Sequence, residues 1–325
     1  MTKLWPTGAS DSASCAERQQ FHGPHFVVNA RAMAGLRAPR MADVRGEALR
    51  RFPDARWTVT SRSGDAAVIA HAAAIDGAGM VVAVGGDGTI NEVVNGLMQV
   101  PGIERPPLGI VPAGSGSDFI RSINVPRDAT AALAVLEVGH AIPVDVGEIH
   151  CEPSVHRYFM NMAGCGASGR VVERFNKRRV PGTLGYVVAS GLTAIGYRFP
   201  IVDLALDGGP ADRVLLNLLF VCNGEYCGGG MHAGMGARVD DGLLQIVSVS
   251  GVGRIGSALQ WPSLYTGHLE RVRGARVQAG RTLRVTSPEE EVLVDCDGEL
   301  CGRLPATYGV VPAALRICVP APAGA

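Results

Sequence analysis

The sequence predicts a two-domain protein in which an α/β domain with an open parallel sheet precedes an antiparallel β domain. The chain has 325 residues, which is enough for two domains at about 150 residues each. Strand and helix patterns alternate over residues 24–138, which is typical of a parallel sheet covered by helices. Short β runs separated by Gly-, Pro- and Asp-rich turns follow over residues 144–319, which is typical of antiparallel structure.

The elements of the first domain are predicted from buried apolar runs and from apolar stripes at helical spacing. The predicted strands are His25–Asn29, Arg56–Thr60, Met80–Val84 and Leu108–Val111. The predicted helices are Ala42–Phe52, Ala66–Ile75, Ile90–Met98 and Ala129–Leu136. Residues 1–23 are polar and lack the apolar segment of a secretory signal, so we expect a disordered extension there.

The second domain is predicted to consist mainly of short strands, with helical segments near residues 168–178, 184–195 and 254–266. The predicted strands are Tyr158–Met162, Ile201–Leu206, Leu215–Cys222, Leu243–Val249, Thr282–Thr286, Val292–Val294 and Leu315–Val319. The longest nearly apolar run, Val214–Cys222, is too short to span a bilayer.

Composition excludes several classes of function. Lysine plus arginine and aspartate plus glutamate both number 30, so there is no overall positive charge to attract nucleic acid. Lys3 and Lys177 are the only lysines, and neither lies in a P-loop or on a strand of the protein-kinase type. This excludes the common P-loop NTPases and the protein kinases.

The eight cysteines contain no C-x-x-C motif, although Cys222/Cys227 and Cys296/Cys301 are each separated by four residues. No histidine spacing of a zinc motif accompanies these pairs, so a zinc site is the weaker alternative. We expect reduced, mostly buried thiols and a cytoplasmic protein.

Two glycine-rich loops each follow a predicted buried strand. In the first, Gly85–Gly88 leads into a helix that we expect to begin at Thr89, where Thr89 and Glu92 form a capping box. Glycines and a helix N-terminus suit a phosphate group, while Asp87 would repel one unless it holds Mg²⁺ or a hydroxyl.

The second loop, Pro112–Phe119, is predicted to emerge at the same sheet edge as the first, because both strands are parallel. Ser115 is a candidate donor to a phosphate, and Asp118 is expected to cap the following turn. Two such loops at one edge indicate a nucleotide-binding cleft.

Acidic turns and one basic cluster complete the candidate features. Asp297-Gly298 reads as a hairpin turn, as does Asp240-Asp241-Gly242, and the functional alternative makes their carboxylates a general base and a cation ligand. Arg174–Arg179 contains four basic residues, which fit either a solvated helix end or contact with an anionic membrane.

The ordered set of motifs closely resembles the diacylglycerol kinase catalytic-domain family, in particular the soluble bacterial lipid kinases related to sphingosine and ceramide kinases. The motifs are G-G-D-G-T-x-N-E at Gly85–Glu92, P-x-G-[ST]-x-x-D-F at Pro112–Phe119, N-G-x-x-x-G-G-G-M at Asn223–Met231, D-D-G-L-L at Asp240–Leu244 and D-G-E at Asp297–Glu299. The resemblance implies a three-layer α/β domain that binds ATP, over residues 24–141 with a returning segment near 308–320. It further implies a lipid-binding β-sandwich over residues 142–307.

The resemblance also implies a set of site residues. The expected catalytic residues are Asp297 as the base, Glu299 beside it, and Asp87. The expected nucleotide contacts are Asn29, Thr60, Gly86, Asp87, Gly88, Thr89, Ile90, Asn91, Glu92 and Ser115. A structural Mg²⁺ would be held by Asp241 and by the main-chain carbonyls of Arg238 and Leu243.

The function that the resemblance implies is ATP- and Mg²⁺-dependent phosphorylation of a primary hydroxyl on diacylglycerol or a related lipid, such as a sphingoid base or ceramide. The expected partner is a lipid at the inner face of a membrane, with peripheral contact, and a homodimer is left open. Two alternatives stay open: an NAD kinase, which shares the G-G-D-G-T loop, and a non-catalytic lipid- or nucleotide-binding protein of the same fold.

Overall fold

The structure, a computed structural model, describes residues 21–33, 38–114, 118–138, 140–177, 197–253, 272–288 and 291–322, with the single residues 193 and 256. Residues 1–20 of the expected extension lie outside these ranges. So do the predicted helices near 184–195 and 254–266, apart from those two single positions.

The first domain has the predicted alternation of strands and helices. Its elements are β1 (His25–Val28), α1 (Ala38–Arg51), β2 (Arg56–Val59), α2 (Asp65–Ile75), β3 (Val81–Gly85), α3 (Asp87–Leu97), β4 (Leu108–Pro112), α4 (Phe119–Ser122) and α5 (Ala129–Val138). The four strands are parallel in the order β2-β1-β3-β4. The longest described helix, α1, has 14 residues, and no helix in the described ranges is long and apolar enough to cross a bilayer.

Strand alternation divides the core of this domain between two faces of the sheet. On β3, Val81 and Ala83 pack with the helices α2 and α3, while Val82 and Val84 pack with α1 and α5. All four side chains are fully buried, and burying a valine stabilises a fold by about 1.5–3 kcal/mol. The result is a three-layer α/β arrangement.

The second domain is built from antiparallel strands and one described helix. Its elements are β5 (Ala141–Cys151), β6 (Val155–Phe159), β7 (Met162–Gly166), α6 (Ala167–Lys177), β8 (Ile201–Leu206), β9 (Asp212–Cys222), β10 (Leu244–Ser250), β11 (Ala275–Gly280), β12 (Thr282–Thr286), β13 (Leu293–Cys296), β14 (Glu299–Arg303) and β15 (Ala306–Cys318). β15 pairs with β5 along its length, and its Ile317 pairs in parallel with Leu108 of β4. Hydrogen-bonded strands therefore continue from one domain into the other.

One antiparallel sheet contains β5, β6, β8, β12 and β15, and a second contains β7, β10, β11, β13 and β14, while β9 pairs with strands of both. The two sheets enclose a core between them. On β9, Leu219 and Val221 face the same cluster as Ile149 of β5 and Tyr308 of β15. The alternate residue Phe220 belongs to the cluster on the opposite face of its sheet, together with Ala167 of α6. This packing confirms the expected β-sandwich.

The predicted strand Tyr158–Met162 is wrong, because the chain breaks there into the end of β6 and the start of β7. The carboxylate of Asp297 accepts hydrogen bonds from the main-chain N–H groups of Met160 and Asn161, the two residues at the break, and of Met162, which follows them. A distant side chain therefore interrupts a segment whose local pattern is that of one strand.

The expectation of reduced thiols is also wrong at one pair, since Cys296 and Cys301 form a disulfide across the β13–β14 hairpin. The short hairpin places the two Cα atoms 6.3 Å apart, within the range that a disulfide can bridge. The other described cysteines are free and buried: Cys151, Cys165, Cys222, Cys227 and Cys318.

Candidate active site

The candidate site begins at the carboxyl ends of the four parallel strands. Asn29 follows β1 and Thr60 follows β2, and each donates its main-chain N–H to the neighbouring strand. The Thr60 hydroxyl accepts a hydrogen bond from the amide of Ala30, and the side-chain amide of Asn29 donates to the Thr89 hydroxyl at 2.9 Å. The structure therefore brings these predicted residues together at one edge of the sheet.

The first glycine loop leads into α3 at Asp87, two residues earlier than predicted, and the expected capping box is wrong. No side chain caps α3. Thr89 lies inside the helix, where its hydroxyl accepts from Asn29. The Glu92 carboxylate instead accepts hydrogen bonds from the Ser63 hydroxyl and the Ala66 amide at the start of α2. Thr89 and Glu92 therefore bond to residues that follow β1 and β2, in place of the reciprocal main-chain bonds of a capping box.

Asp87 ties the two glycine loops together. Its carboxylate accepts hydrogen bonds from the main-chain amides of Asp118 and Phe119, which end the second loop, at 3.1–3.3 Å. Ala113 at the start of that loop donates to the Gly85 carbonyl oxygen. The prediction that both loops emerge at one sheet edge is confirmed, while Ser115 lies outside the described residues.

Asp118 does not cap the turn that follows it, which corrects another expectation. It occupies the N-cap position of α4 without a capping hydrogen bond. Its buried carboxylate accepts instead from the amide of Gly229, at 2.7 Å. The partner of Asp118 is therefore a residue of the second domain, which the sequence around Asp118 does not indicate.

The Asp87 carboxyl is easier to protonate than an ordinary aspartate. Burial, partly offset by the hydrogen bond from the Asp118 amide, raises the pKa of Asp87 to about 6, and the nearby charges of Asp118 and Asp297 contribute to this shift. Three carboxyl groups from two domains therefore lie close enough to influence one another.

Asp297 sits at the turn between β13 and β14, as the Asp-Gly signal predicts. Asp297 and Gly298 both have positive φ, 44° and 83°, which is the geometry of a tight hairpin turn. The Asp297 carboxylate accepts four hydrogen bonds at 2.8–3.0 Å, three from the amides of residues 160–162 and one from Asn91. Burial raises the pKa of Asp297, and the amides of Met160 and Met162 oppose that shift.

Two asparagines on α3 join the first domain to β6. Asn91 donates from its side chain to Asp297 and to the Tyr158 carbonyl oxygen, at 2.8 and 2.9 Å. Asn95, one helical turn later, exchanges hydrogen bonds with the main-chain carbonyl and N–H of Tyr158. Sequence reasoning missed Asn95, although two asparagines four residues apart on a largely apolar helix are a signal for such a contact.

The Asn223–Met231 motif makes hydrogen bonds to the break between β6 and β7 and to Asp118 of the second glycine loop. The side-chain amide of the fully buried Asn223 donates to the carbonyl oxygens of Asp145 and Met160. The three glycines that follow, residues 228–230, all have positive φ, which lets the chain approach Asp118. This motif therefore positions the break beside Asp297, a role that its sequence alone did not reveal.

Glu299 lies two residues after Asp297 but points elsewhere. Its side chain, 46% exposed, pairs with Arg157 of β6 at 3.0 Å. Residues two apart in a strand face the same side of the sheet, but a turn lies between these two carboxylates. The structure therefore does not bring the Glu299 carboxylate to the hydrogen-bonding group around Asp297.

A second acidic group contains Asp241 and a residue that sequence reasoning missed, Asp145. The carboxylate of Asp145 is buried and accepts from the amides of Gly242 and Ala313, both at 2.7 Å. Burial raises the pKa of Asp241, and the charge of Asp145 raises it further. Arg238 directs its side chain to Asp240, so only its main-chain carbonyl is a candidate ligand.

The basic cluster Arg174–Arg179 is described only as far as Lys177, at the end of α6. Arg174 donates to the Thr193 hydroxyl, and Lys177 pairs with Glu173 at 2.8 Å. Arg178 and Arg179 lie outside the described residues. The described part is therefore a partly neutralised helix end.

Comparison with known proteins agrees with this arrangement. The diacylglycerol kinase catalytic domain matches residues 24–149, and the YegS C-terminal NAD kinase beta sandwich-like domain matches residues 161–319. A Chromohalobacter salexigens protein named "Probable lipid kinase YegS-like" is 32% identical over 82% of this chain and 83% of its own length. A diacylglycerol kinase of Staphylococcus aureus is 31% identical over 77% of each chain.

Solved structures show the same fold. A diacylglycerol kinase from Bacillus anthracis superposes with a TM-score of 0.71 at 22% identity, covering 93% of this chain and 98% of its own. Yeast NADH kinase superposes less well, with a TM-score of 0.52 at 12% identity over 93% of this chain and 84% of its own. The two domain matches and the sequence identity to the relatives show that this chain belongs to the diacylglycerol kinase family of lipid kinases.

Proposed function

We propose that this protein transfers the γ-phosphoryl group of ATP, with Mg²⁺, to the primary hydroxyl of diacylglycerol or a related lipid such as a sphingoid base or ceramide. The observation that carries the proposal is the hydrogen bond between Asn91 and Asp297. It holds a carboxylate of the second domain against the helix that follows the first glycine loop. A base for the acceptor hydroxyl and a loop suited to phosphates therefore meet at one place.

The proposed nucleotide site uses main-chain groups more than side chains. Thr89, Ile90 and Asn91 are buried, so we assign them to packing and to the contacts with Asn29 and Asp297. Gly86 and the exposed Gly88 leave the first amides of α3 open to a phosphate, where the positive end of the helix dipole favours negative charge. Glu92 acts by holding α2, and Ser115 would contribute its hydroxyl.

Asp297 is the proposed general base. Its carboxylate would take the proton of the lipid hydroxyl as that oxygen attacks the γ-phosphorus, and the bond from the γ-phosphorus to the bridging oxygen of ADP would break. Burial makes this carboxylate more basic than a solvated aspartate. Glu299 would act indirectly, through its ion pair with Arg157.

We propose that Asp145 and Asp241 hold a structural Mg²⁺ with the main-chain carbonyls of Arg238 and Leu243. All these donors are oxygens, the ligand type that Mg²⁺ prefers. The donor set fits for a second reason, because the charge of Asp145 disfavours ionisation of Asp241, and a cation would relieve that repulsion. When bound, Mg²⁺ would supply positive charge that fixes the segment before β10.

Mg²⁺ is therefore expected to raise the thermal unfolding midpoint of the wild-type protein but not that of Asp241→Asn. The substitution removes one of two negative charges while keeping the side-chain shape. Asp240→Asn is the matched control. The Asp240 carboxylate is adjacent in sequence to that of Asp241, but it pairs with Arg238 and is outside the proposed ligand set. Equal Mg²⁺ responses in the two variants would contradict this assignment.

Gly88→Ala is expected to weaken MgATP binding by at least about tenfold without lowering the stability of the protein. A methyl group at Gly88 meets nothing within 4 Å in the protein, so it occupies only the space proposed for a phosphate. Calorimetric titration with MgATP and thermal unfolding measure the two effects. Unchanged MgATP affinity would remove Gly88 from the nucleotide site.

MgATP affinity is expected to depend on the ionisation of Asp87. Because its pKa is raised to about 6, the carboxylate is charged at neutral pH and mostly protonated at pH about 5. The affinity ratio of wild type to Asp87→Asn should therefore be large at pH about 7.5 and approach one at pH about 5, and this ratio cancels the protonation of ATP itself. Asp295→Asn is the control, since burial raises the pKa of Asp295 to about 6 too, but its partner is Ser168.

The proposed activity is tested by ADP release with diacylglycerol, a sphingoid base, ceramide or NAD⁺ as the acceptor. Stimulation by one of the lipids supports the proposal. Formation of NADP⁺ would support the NAD kinase alternative, and tight MgATP binding without turnover on any acceptor would support a binding protein. Comparing vesicles with a short-chain soluble acceptor tests the proposed membrane contact, which a higher rate on vesicles would support.

A further inference from the structure

One cluster of metal-ligating side chains lies apart from the groups assigned above. Glu148, His150 and His156 each place a ligand atom within 4.8 Å of the other two, and the described ranges contain no other histidine, cysteine or carboxylate trio this close. We propose that these three side chains form an exchangeable site for a borderline divalent cation such as Zn²⁺.

Strand geometry brings the three residues to one face. Glu148 and His150 are two residues apart on β5, so both side chains point to the same side of the sheet. His150 and His156 are direct cross-strand partners between β5 and β6. The two imidazole rings stack with centroids 3.9 Å apart and planes 15° apart.

Both imidazoles approach one oxygen of the carboxylate. The Nε2 atom of His156 lies 3.2 Å and that of His150 lies 3.5 Å from the same oxygen, Oε2 of Glu148. Zn²⁺ bonds of about 2.0–2.2 Å in tetrahedral geometry separate ligand atoms by about 3.3–3.6 Å. The two observed spacings lie close to that range, and the third separation is within 4.8 Å.

The neighbouring strand leaves room for the carboxylate. Gly309 of β15 pairs with Glu148, and a Cβ atom at that position would lie 3.0 Å from Oε1 of Glu148. That separation is closer than ordinary van der Waals contact. Glycine at 309 therefore leaves room for the Glu148 carboxylate next to the two imidazoles.

The donor set selects the class of cation. Two imidazoles and one carboxylate suit Zn²⁺ and similar divalent transition ions, whereas Mg²⁺ prefers oxygen ligands alone. His150 and His156 are 51% and 40% exposed, so water would complete the coordination. Three protein ligands would leave a coordination position to water, in contrast to a closed structural zinc site.

The test is calorimetric titration of the full-length, untagged protein with Zn²⁺, after treatment with chelator and in the absence of Mg²⁺. We expect one saturable site per chain, at least about tenfold weaker in His156→Gln and in Glu148→Gln. His232→Gln is the matched control, because His232 also lies 3.5 Å from a glutamate, Glu225, and the described residues place no third ligand beside that pair. Its affinity for Zn²⁺ should equal that of the wild type.

Cobalt substitution distinguishes this site from the cysteines. Co²⁺ bound to the wild type should give visible d–d bands without the near-ultraviolet charge-transfer band of thiolate ligation, and His156→Gln should lose the visible bands. Absence of saturable Zn²⁺ binding, unchanged affinity in His156→Gln, or a thiolate band would each overturn the proposal. Thermal unfolding without metal checks that each variant is folded.

Discussion

Replacing Asp297 by asparagine is expected to reduce the turnover number of lipid phosphorylation by about 10²–10⁴-fold, the range that a general base contributes. Asparagine keeps the shape of the side chain but cannot take a proton from the acceptor hydroxyl. It also replaces one carboxylate oxygen by a donor, so two of the four hydrogen bonds around residue 297 are lost. Each unsatisfied buried donor costs about 1–3 kcal/mol of the free energy of unfolding.

Asp207→Asn is the control for replacing an aspartate at a position of positive φ. Asp207 also has a positive φ, 49°, and its carboxylate also accepts from two main-chain amides, those of Arg281 and Thr282. It contacts none of the residues assigned to the site. MgATP binding measured by calorimetry should persist in Asp297→Asn. Turnover of that variant within about threefold of wild type would exclude Asp297 as the base.

Replacing Gly96 by alanine is expected to lower the free energy of unfolding by about 1–3 kcal/mol, as overpacking commonly does. Gly96 lies on α3 against α2, and a methyl group there would collide with the main-chain carbonyl of Ala67. A backbone group cannot move aside as the end of a flexible side chain does. Because α3 carries both Asp87 and Asn91, its displacement would also disturb the candidate site.

Gly46→Ala on α1 is the control, because a methyl group at that position meets nothing within 4 Å. Alanine in an open helical position should increase stability by about 0.5–1 kcal/mol, since glycine loses more chain entropy on folding. Denaturant unfolding of the two variants should therefore give changes of opposite sign. Changes of the same sign and size would show that the close approach of α2 and α3 does not limit stability.

The elements predicted correctly are those whose signals are local. Buried apolar runs such as Val81–Val84 fit a strand wherever they occur, and the Asp297-Gly298 pair favours a tight turn through its own backbone preferences. The meeting of the two glycine loops at one sheet edge follows from general rules for α/β sheets. These features required no knowledge of distant partners.

The incorrect capping predictions concern polar groups whose partners lie far away in the chain. Thr89 pairs with Asn29 and Asp118 pairs with Gly229, so neither performs the local capping role that its neighbours suggest. Cys296 and Cys301 are only five residues apart, but it is the hairpin between them that brings them to bonding distance.

The sequence alone determined the two-domain plan, the family and the set of candidate residues, because motif spacing and periodicity are properties of short segments. Tertiary structure decided which of those residues meet. The folded chain pairs the side chain of Asn91, expected as a nucleotide contact, with Asp297. It pairs Glu299 with Arg157, and it brings Asp145 close to Asp241. The physical reason is that a hydrogen-bonding side chain takes the partner that the folded chain brings within about 3 Å, and sequence spacing does not specify that partner.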